Sequence, residues 1–124
     1  MKKFIITAGG TSERIDNVRK ITNSSSGKLG KLIADCLLKE RNDILIYYVC
    51  SKNSLRPSDD RVHVLEVEGT LDLKNTLEDL LLSNEINYFI HSMAVSDYMT
   101  DFVTNLSNIK ESITKSSNID EAFE

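Results

Sequence analysis

Apolar positions along this chain fall into two rhythms that alternate. Short, nearly unbroken apolar runs occupy Lys3 to Ala8, Ile44 to Cys50, Val62 to Val67 and Ile86 to His91. Runs of this length, rich in β-branched and aromatic residues, predict strands, and continuous ones predict strands buried on both faces. Val62 to Val67 alternates more, which predicts a place nearer a sheet edge. Between the runs the apolar residues recur at helical spacing. Leu29, Leu32, Ile33, Cys36 and Leu37 follow the steps i, i+3, i+4, i+7, i+8 and predict a helix from about Gly27 to Arg41 with that stripe on the sheet. Leu73, Leu77, Leu80 and Leu81 predict the buried stripe of a second helix, capped by Thr70 and running to about Ser83. Gly30, one turn into the first helix, is small enough to let it pack closely on the first strand. Arg56 to Asp60 reads as an exposed turn.

Strand–helix alternation of this kind predicts an α/β fold: a Rossmann-like three-layer domain with a mainly parallel sheet and helices on both faces. Residues 1–98 are expected to form that Rossmann-like domain. Residues 99–124 read as a polar tail with one or two helical turns near Ile109 to Ile113 and a single apolar cluster at Ala122-Phe123. In the common doubly wound order the fourth strand lies beside the first, opposite the second. A crevice then opens between the carboxyl ends of strands one and four. The two loops that enter it, one after each of those strands, are polar.

The first loop runs from Gly9-Gly10-Thr11 through Arg14, Asp16, Arg19 and Asn23 to Ser25-Ser26-Gly27. Glycines at a strand end let backbone approach a bulky anion. Hydroxyls and free N–H groups at a helix start favour phosphate. The same residues also suit a plain turn and a serine N-cap, so spacing alone leaves both readings open. The second loop, His91 to Tyr98, carries Ser92, Met93, Ala94 and Asp97. His91 reads as a residue packed at a strand end. No Walker lysine follows the glycines, and no acid stands at the end of strand two, where the chain reads Val49-Cys50-Ser51-Lys52; both a P-loop and a classical NAD site are thereby disfavoured.

Charge and composition narrow the ligand class. The chain has 124 residues and a formal net charge of −4, so no general affinity for nucleic acid is implied, while Arg14, Arg19, Lys20 and Lys28 near the first loop suit a small anion. Cys36 and Cys50 lack metal-ligand spacing and read as buried free thiols. Neither a leader nor a membrane-length run is visible, and the default expectation is a reduced, cytoplasmic protein without a membrane partner.

Three segments together, TAGGTSERID (7–16), VRKITNSSSGKLG (18–30) and HSMAVSDY (91–98), resemble the phosphopantothenate–cysteine ligase family of coenzyme A biosynthesis. The likeness is to its stand-alone bacterial form and covers about residues 4–98. It implies a ligase that activates the carboxylate of 4′-phosphopantothenate with a nucleoside triphosphate, CTP first and ATP as the alternative, and then forms an amide with cysteine. It implies Asn23 as the catalytic residue that holds the acyl-nucleotidyl intermediate, a neutral amide able to donate to a developing oxyanion. It further implies Ser92, Met93, Ala94 and Asp97 at the nucleotide, and Gly9, Gly10, Thr11, Ser25, Ser26 and Gly27 at phosphate and substrate. Mg²⁺ would accompany the triphosphate; neither flavin nor NAD is implied, nor any metal ligand of the protein's own. Family members are homodimers.

The family's ligase domain is longer than this chain, and its triphosphate-contacting lysine lies downstream of the Asp-Tyr pair; Lys110 and Lys115 match no such motif. The chain is thus expected to be either the N-terminal half of the ligase or a short form that needs a second polypeptide. A module that binds a nucleotide or phosphate without turning it over is the second reading, and pyrophosphate release from CTP separates the two.

Overall fold

Five consecutive buried residues, Phe4 to Ala8, mark the centre of the molecule. They belong to β1 (Lys2–Ala8), the first of six strands and three helices in a computed structural model that describes residues 1–115. A strand covered on both faces needs partners on both edges, and β1 has them. It pairs in parallel with β4 (Ile44–Cys50) from Lys2 opposite Ile44 to Ala8 opposite Cys50. On its other edge it pairs in parallel with β6 (Tyr88–His91), from Phe4 opposite Tyr88 to Thr7 opposite His91. With β5 (Val62–Glu66) outside β4, the sheet order is β5-β4-β1-β6. Strands one and four of the sequence reading are therefore neighbours, and β5 holds the expected edge.

Side-chain alternation splits the core in two. Phe4, Ile6, Ala8, Ile46, Tyr48 and Cys50 pack against α1 (Lys28–Glu40). Ile5, Val49 and Val67 pack on the opposite face with Leu73 and Leu80 of α2 (Thr70–Ser83) and with Met93. Burial pushes the Tyr48 hydroxyl up to about 12 and raises the Cys50 thiol above its ordinary value. No described helix is long and apolar enough to cross a membrane.

Several expectations are corrected. The face that α1 turns to the sheet is Gly30, Ala34 and Leu38, flanked by Ile33 and Leu37, whereas Leu29 and Leu32 are more than half exposed and Cys36 is exposed. Small residues set this roll. A Cβ on Gly30 would stand 2.5 Å from that of Ala8, so the helix axis comes closest where the sequence is least bulky. Hydrophobic periodicity weighs side-chain size and is blind to such a face. In α2, Leu73 and Leu80 are buried and Leu77 packs beside them, but Leu81 is half exposed. Thr70 is not the cap of α2. Gly69 holds that position, and the Glu13 carboxylate accepts both the Thr70 N–H and its hydroxyl at 2.8 Å.

The Arg56 to Asp60 segment is not an open turn either. Pro57 is buried, and Arg56 donates to the carbonyls of Ser51, Lys52 and Ser54 and pairs with Glu66 at 2.9 Å. Arg61 donates to the carbonyls of Leu38 and Arg41, which closes the C-terminus of α1. Beyond β6 the tail contains α3 (Leu106–Lys115), longer than the turns expected there. The Ala122-Phe123 cluster lies outside the described residues.

Two outcomes test this architecture. Leu38→Ala is expected to lower stability by about 2–4 kcal/mol in urea denaturation, and Leu32→Ala by less than about 0.5 kcal/mol, the reverse of what the apolar stripe alone suggests. The second concerns acid. A side-chain hydrogen bond from Arg61, with its backbone N–H, lowers Asp59 to about 2. A carboxylate depressed below its unfolded value of about 3.9 stabilises the fold above that pH and loses its effect as pH falls through 2. Acid titration of the wild type should therefore show a steeper loss of stability between about pH 4 and 2 than Arg61→Ala, whose baseline stability is lower.

Candidate functional site

The chain leaves β1 through Gly9, where φ is +88°, and enters a hairpin where the sequence suggested an irregular loop. β2 (Ser12–Arg14) and β3 (Lys20–Thr22) pair antiparallel, with Ser12 opposite Thr22 and Arg14 opposite Lys20. The charged residues of the motif build this hairpin. The Asp16 carboxylate accepts the Val18 and Arg19 N–H groups at 2.8 and 2.7 Å, which lowers its pKa, and it also pairs with the Arg19 side chain. Arg14 reaches Glu68 at 2.8 Å. Glu13, nearly buried, ties β2 to the start of α2 through Thr70.

Past β3 the backbone turns back against the strand ends. Asn23 N–H donates to the Thr11 carbonyl at 3.0 Å, and a Cβ on Gly10 would stand 2.2 Å from the Asn23 carbonyl oxygen, an approach only glycine permits. The loop after β6 meets the same segment. Thr11 N–H donates to the Ala94 carbonyl at 3.0 Å, and Ala94 N–H donates to the Gly9 carbonyl at 2.9 Å. Ser96 N–H donates to Thr11 Oγ1 at 3.0 Å. The two loops singled out from the sequence are thus joined by main-chain hydrogen bonds, with Asn23 over the seam. Its side-chain NH₂ lies 3.4 Å from both Thr11 Oγ1 and the Ala94 carbonyl.

Below the seam, Thr7 plays a structural part. It is fully buried; its carbonyl accepts the Ser92 hydroxyl at 2.6 Å, and its Oγ1 accepts the Met93 N–H and bonds His91 Nδ1 at 2.6 Å. Ser92 and Met93 therefore direct their side chains into the protein, Met93 into the α2 core, while Ala94 and Asp97 stand exposed. His91 is exposed at the sheet edge and not packed as the sequence suggested. Thr11 is fully buried as well. At the start of α1, Ser26 is exposed; its Oγ accepts the Lys28 N–H at 3.3 Å and its carbonyl accepts Leu55 N–H at 2.9 Å. Gly27 is the N-cap, with φ +80°.

Two spaces open beside Asn23. One, of about 250 Å³, is walled by Gly10, Thr22, Asn23, Ser25, Lys20 and Lys52, with Glu68 near by. Its lining has hydroxyls and two lysines against one carboxylate, that of Glu68, 3.8 Å from the Lys20 ammonium, a weakly positive lining that suits a small anion. The other, of about 490 Å³, is walled by Ile21, Asn23, Val95, Asp97, Tyr98 and Met99 and is more apolar. Asn23 belongs to both walls. Gly10 and Ser25 stand in the first and Asp97 in the second; Gly9, Thr11, Ser92, Met93, Ser26 and Gly27 lie behind or beside them. Lys52 is the residue the sequence reading passed over. Its signal is position, since the residues just past the carboxyl end of a central parallel strand face the crevice. Among the described residues no three of His, Cys, Asp and Glu cluster as metal ligands.

The chain matches the family model described as the DNA/pantothenate metabolism flavoprotein C-terminal domain over residues 1–120. It is 33% identical over 109 residues to the coenzyme A biosynthesis bifunctional protein CoaBC of Thermococcus kodakarensis, covering 88% of this chain and 25% of that protein. Its fold is similar to the DNA/pantothenate metabolism flavoprotein from Streptococcus pneumoniae, with 37% identity, a TM-score of 0.79, and coverage of 98% of this chain and 52% of the other. It is also similar to the C-terminal domain of CoaBC, with 28% identity, a TM-score of 0.70, and coverage of 95% and 60%. The chain spans about a quarter of the length of the curated relatives it matches.

The helix-start geometry is open to test. A Cβ on Gly27 would stand 2.0 Å from Ser54 Oγ, in a backbone conformation that L-residues disfavour. Gly27→Ala is expected to lower stability by about 1–2 kcal/mol or more, and Ser54→Ala in the same chain to recover part of it. Urea denaturation of the double-mutant cycle measures the coupling.

Proposed function

We infer the function of this chain from its family: it belongs to the DNA/pantothenate metabolism flavoprotein C-terminal domain family. We propose that it is the Rossmann-like part of a phosphopantothenate–cysteine ligase. The observation that carries the reading is the position of Asn23 on the wall common to a lysine-fronted space and a more apolar one. A reaction that joins an anionic acyl substrate to a nucleotide, and then replaces the nucleotide, needs two such spaces meeting at one polar group.

In this reading the phosphorylated substrate lies by Gly10, Ser25, Lys20 and Lys52, near the α1 N-terminus that Gly27 shapes. The nucleotide, CTP or ATP, lies by Ala94, Val95 and Asp97. A carboxylate is a poor acyl donor until its oxygen becomes a good leaving group, and nucleotidyl transfer supplies that. The carboxylate attacks the α-phosphate, pyrophosphate leaves, and the cysteine amine then displaces the nucleoside monophosphate. The protein's share is positioning and charge stabilisation. Gly9, Thr11, Ser92 and Met93 serve as the scaffold of these walls. Mg²⁺ would accompany the triphosphate and offset its charge. A homodimer is part of the same proposal.

The test is a separation of steps in the complete ligase. Asn23→Asp is nearly isosteric and sits in a polar loop, but one of its oxygens faces the Ala94 carbonyl, so urea denaturation of the variant is recorded alongside the kinetics. Pyrophosphate release from CTP and 4′-phosphopantothenate should continue, while amide formation slows by roughly 10²–10³, the scale of losing one polar contact to a transition state. Acyl-nucleotide should then accumulate in the presence of cysteine, as followed by chromatography. Equal loss of both steps would remove Asn23 from this role.

A further inference from the structure

An amide has two ends, and the surroundings of Asn23 decide which one faces a ligand. The Ala94 carbonyl, 3.4 Å away, can only accept, so the end turned to it is the NH₂. Thr11 Oγ1, also 3.4 Å away, takes the other N–H, and Thr11 is itself fixed, with its own N–H donating to the same Ala94 carbonyl and its Oγ1 accepting from Ser96. Reversing the amide would set Oδ1 against a carbonyl oxygen. Both side-chain hydrogens thus face acceptors of the protein, at the long end of hydrogen-bond distance. Oδ1 has no protein partner among the described residues and belongs to a residue that walls both spaces.

We propose that Asn23 meets its ligand as a hydrogen-bond acceptor, its carbonyl oxygen taking an N–H of the incoming cysteine amine, with Thr11 as the positioning residue that sets this orientation. The inference rests on the ligase reading above and replaces oxyanion donation as the chemistry of that side chain. It also explains why an amide suits the position. An amine attacks only as the free base. A neutral acceptor orients the free base without favouring the ammonium, whereas a carboxylate at the same point would pair with the ammonium and hold it protonated. The contact is a binding contact, and Asn23 takes no proton. Charged groups on the surrounding walls are Lys20, Lys52 and Glu68 on one side and Glu13 and Asp97 on the other, with the Tyr98 phenol beside Asp97. They are common to wild type and variants, so comparison of the two removes their contribution.

The experiment is a pH profile of amide formation in the complete ligase between about pH 7 and 10, with pyrophosphate release recorded in parallel. For Asn23→Asp the rise of the amide step should move up by about 1–3 pH units, so its deficit shrinks as pH increases. For Asn23→Ala the cysteine KM should rise roughly three- to tenfold without that displacement. A deficit in Asn23→Asp that is constant with pH would overturn the acceptor role and restore oxyanion donation. Absence of pyrophosphate release in the wild type would instead overturn the ligase reading, and cysteine as the donor with it. The orientation itself is tested without turnover. In ¹⁵N-labelled full chain, Thr11→Val should displace the Asn23 side-chain NH₂ resonances and Thr11→Ser should leave them near their wild-type positions. An unmoved pair in Thr11→Val would overturn the positioning role.

Discussion

Two main-chain hydrogen bonds, Thr11 N–H to the Ala94 carbonyl and Ala94 N–H to the Gly9 carbonyl, hold the working end of this molecule together. They continue the β1–β6 pairing beyond the point where regular strand ends. Because they run through backbone, they fix the separation of the two loops whatever side chains those loops carry. Asn23 inherits its position from them, through Thr11 and through the glycine at position 10 that admits its carbonyl. Side chains at the seam then choose orientation, and the spaces on either side differ in polarity because different elements wall them.

Much of this was legible in the chain. The four parallel strands and their order followed from apolar run length and alternation with helices. The convergence of the Gly9–Gly27 and His91–Tyr98 segments followed from strand order alone. Three motifs in the right sequence pointed to the family that the comparisons bear out. What escaped has physical reasons. Strands of three residues, Ser12–Arg14 and Lys20–Thr22, are too short for alternation to register, so a hairpin read as a loop. The sheet face of α1 is written in Gly30 and Ala34, residues with little apolar weight. The acceptor for the Thr70 N–H and hydroxyl at the start of α2 is Glu13, 57 positions upstream, and no local window contains both partners.

Residue type alone does not separate a side chain that faces a ligand from one that shapes the loop. Gly9 and Thr11 were expected to line the phosphate pocket, and Ser92 and Met93 to face the nucleotide largely through backbone groups. The structure gives Thr11 and Met93 buried side chains and commits the Ser92 hydroxyl to Thr7. Their types suit shaping of the loops. Arg14, Asp16 and Arg19, conspicuous as a charge cluster, are occupied in holding the hairpin closed. Lys52, plain in sequence, stands at the wall.

The bond from Glu13 to Thr70 carries a consequence for the order in which this protein is made. A three-residue antiparallel pair has little stability of its own. Its anchor appears only once the chain has been synthesised through the first turn of α2, and Ala94, the other support of its base, lies later still. The hairpin therefore cannot mature as a local unit. Its closure depends on long-range contacts and carries their loop-closure cost. The two spaces beside Asn23 are therefore walled only in a chain that extends past Ala94, beyond the last strand of the sheet.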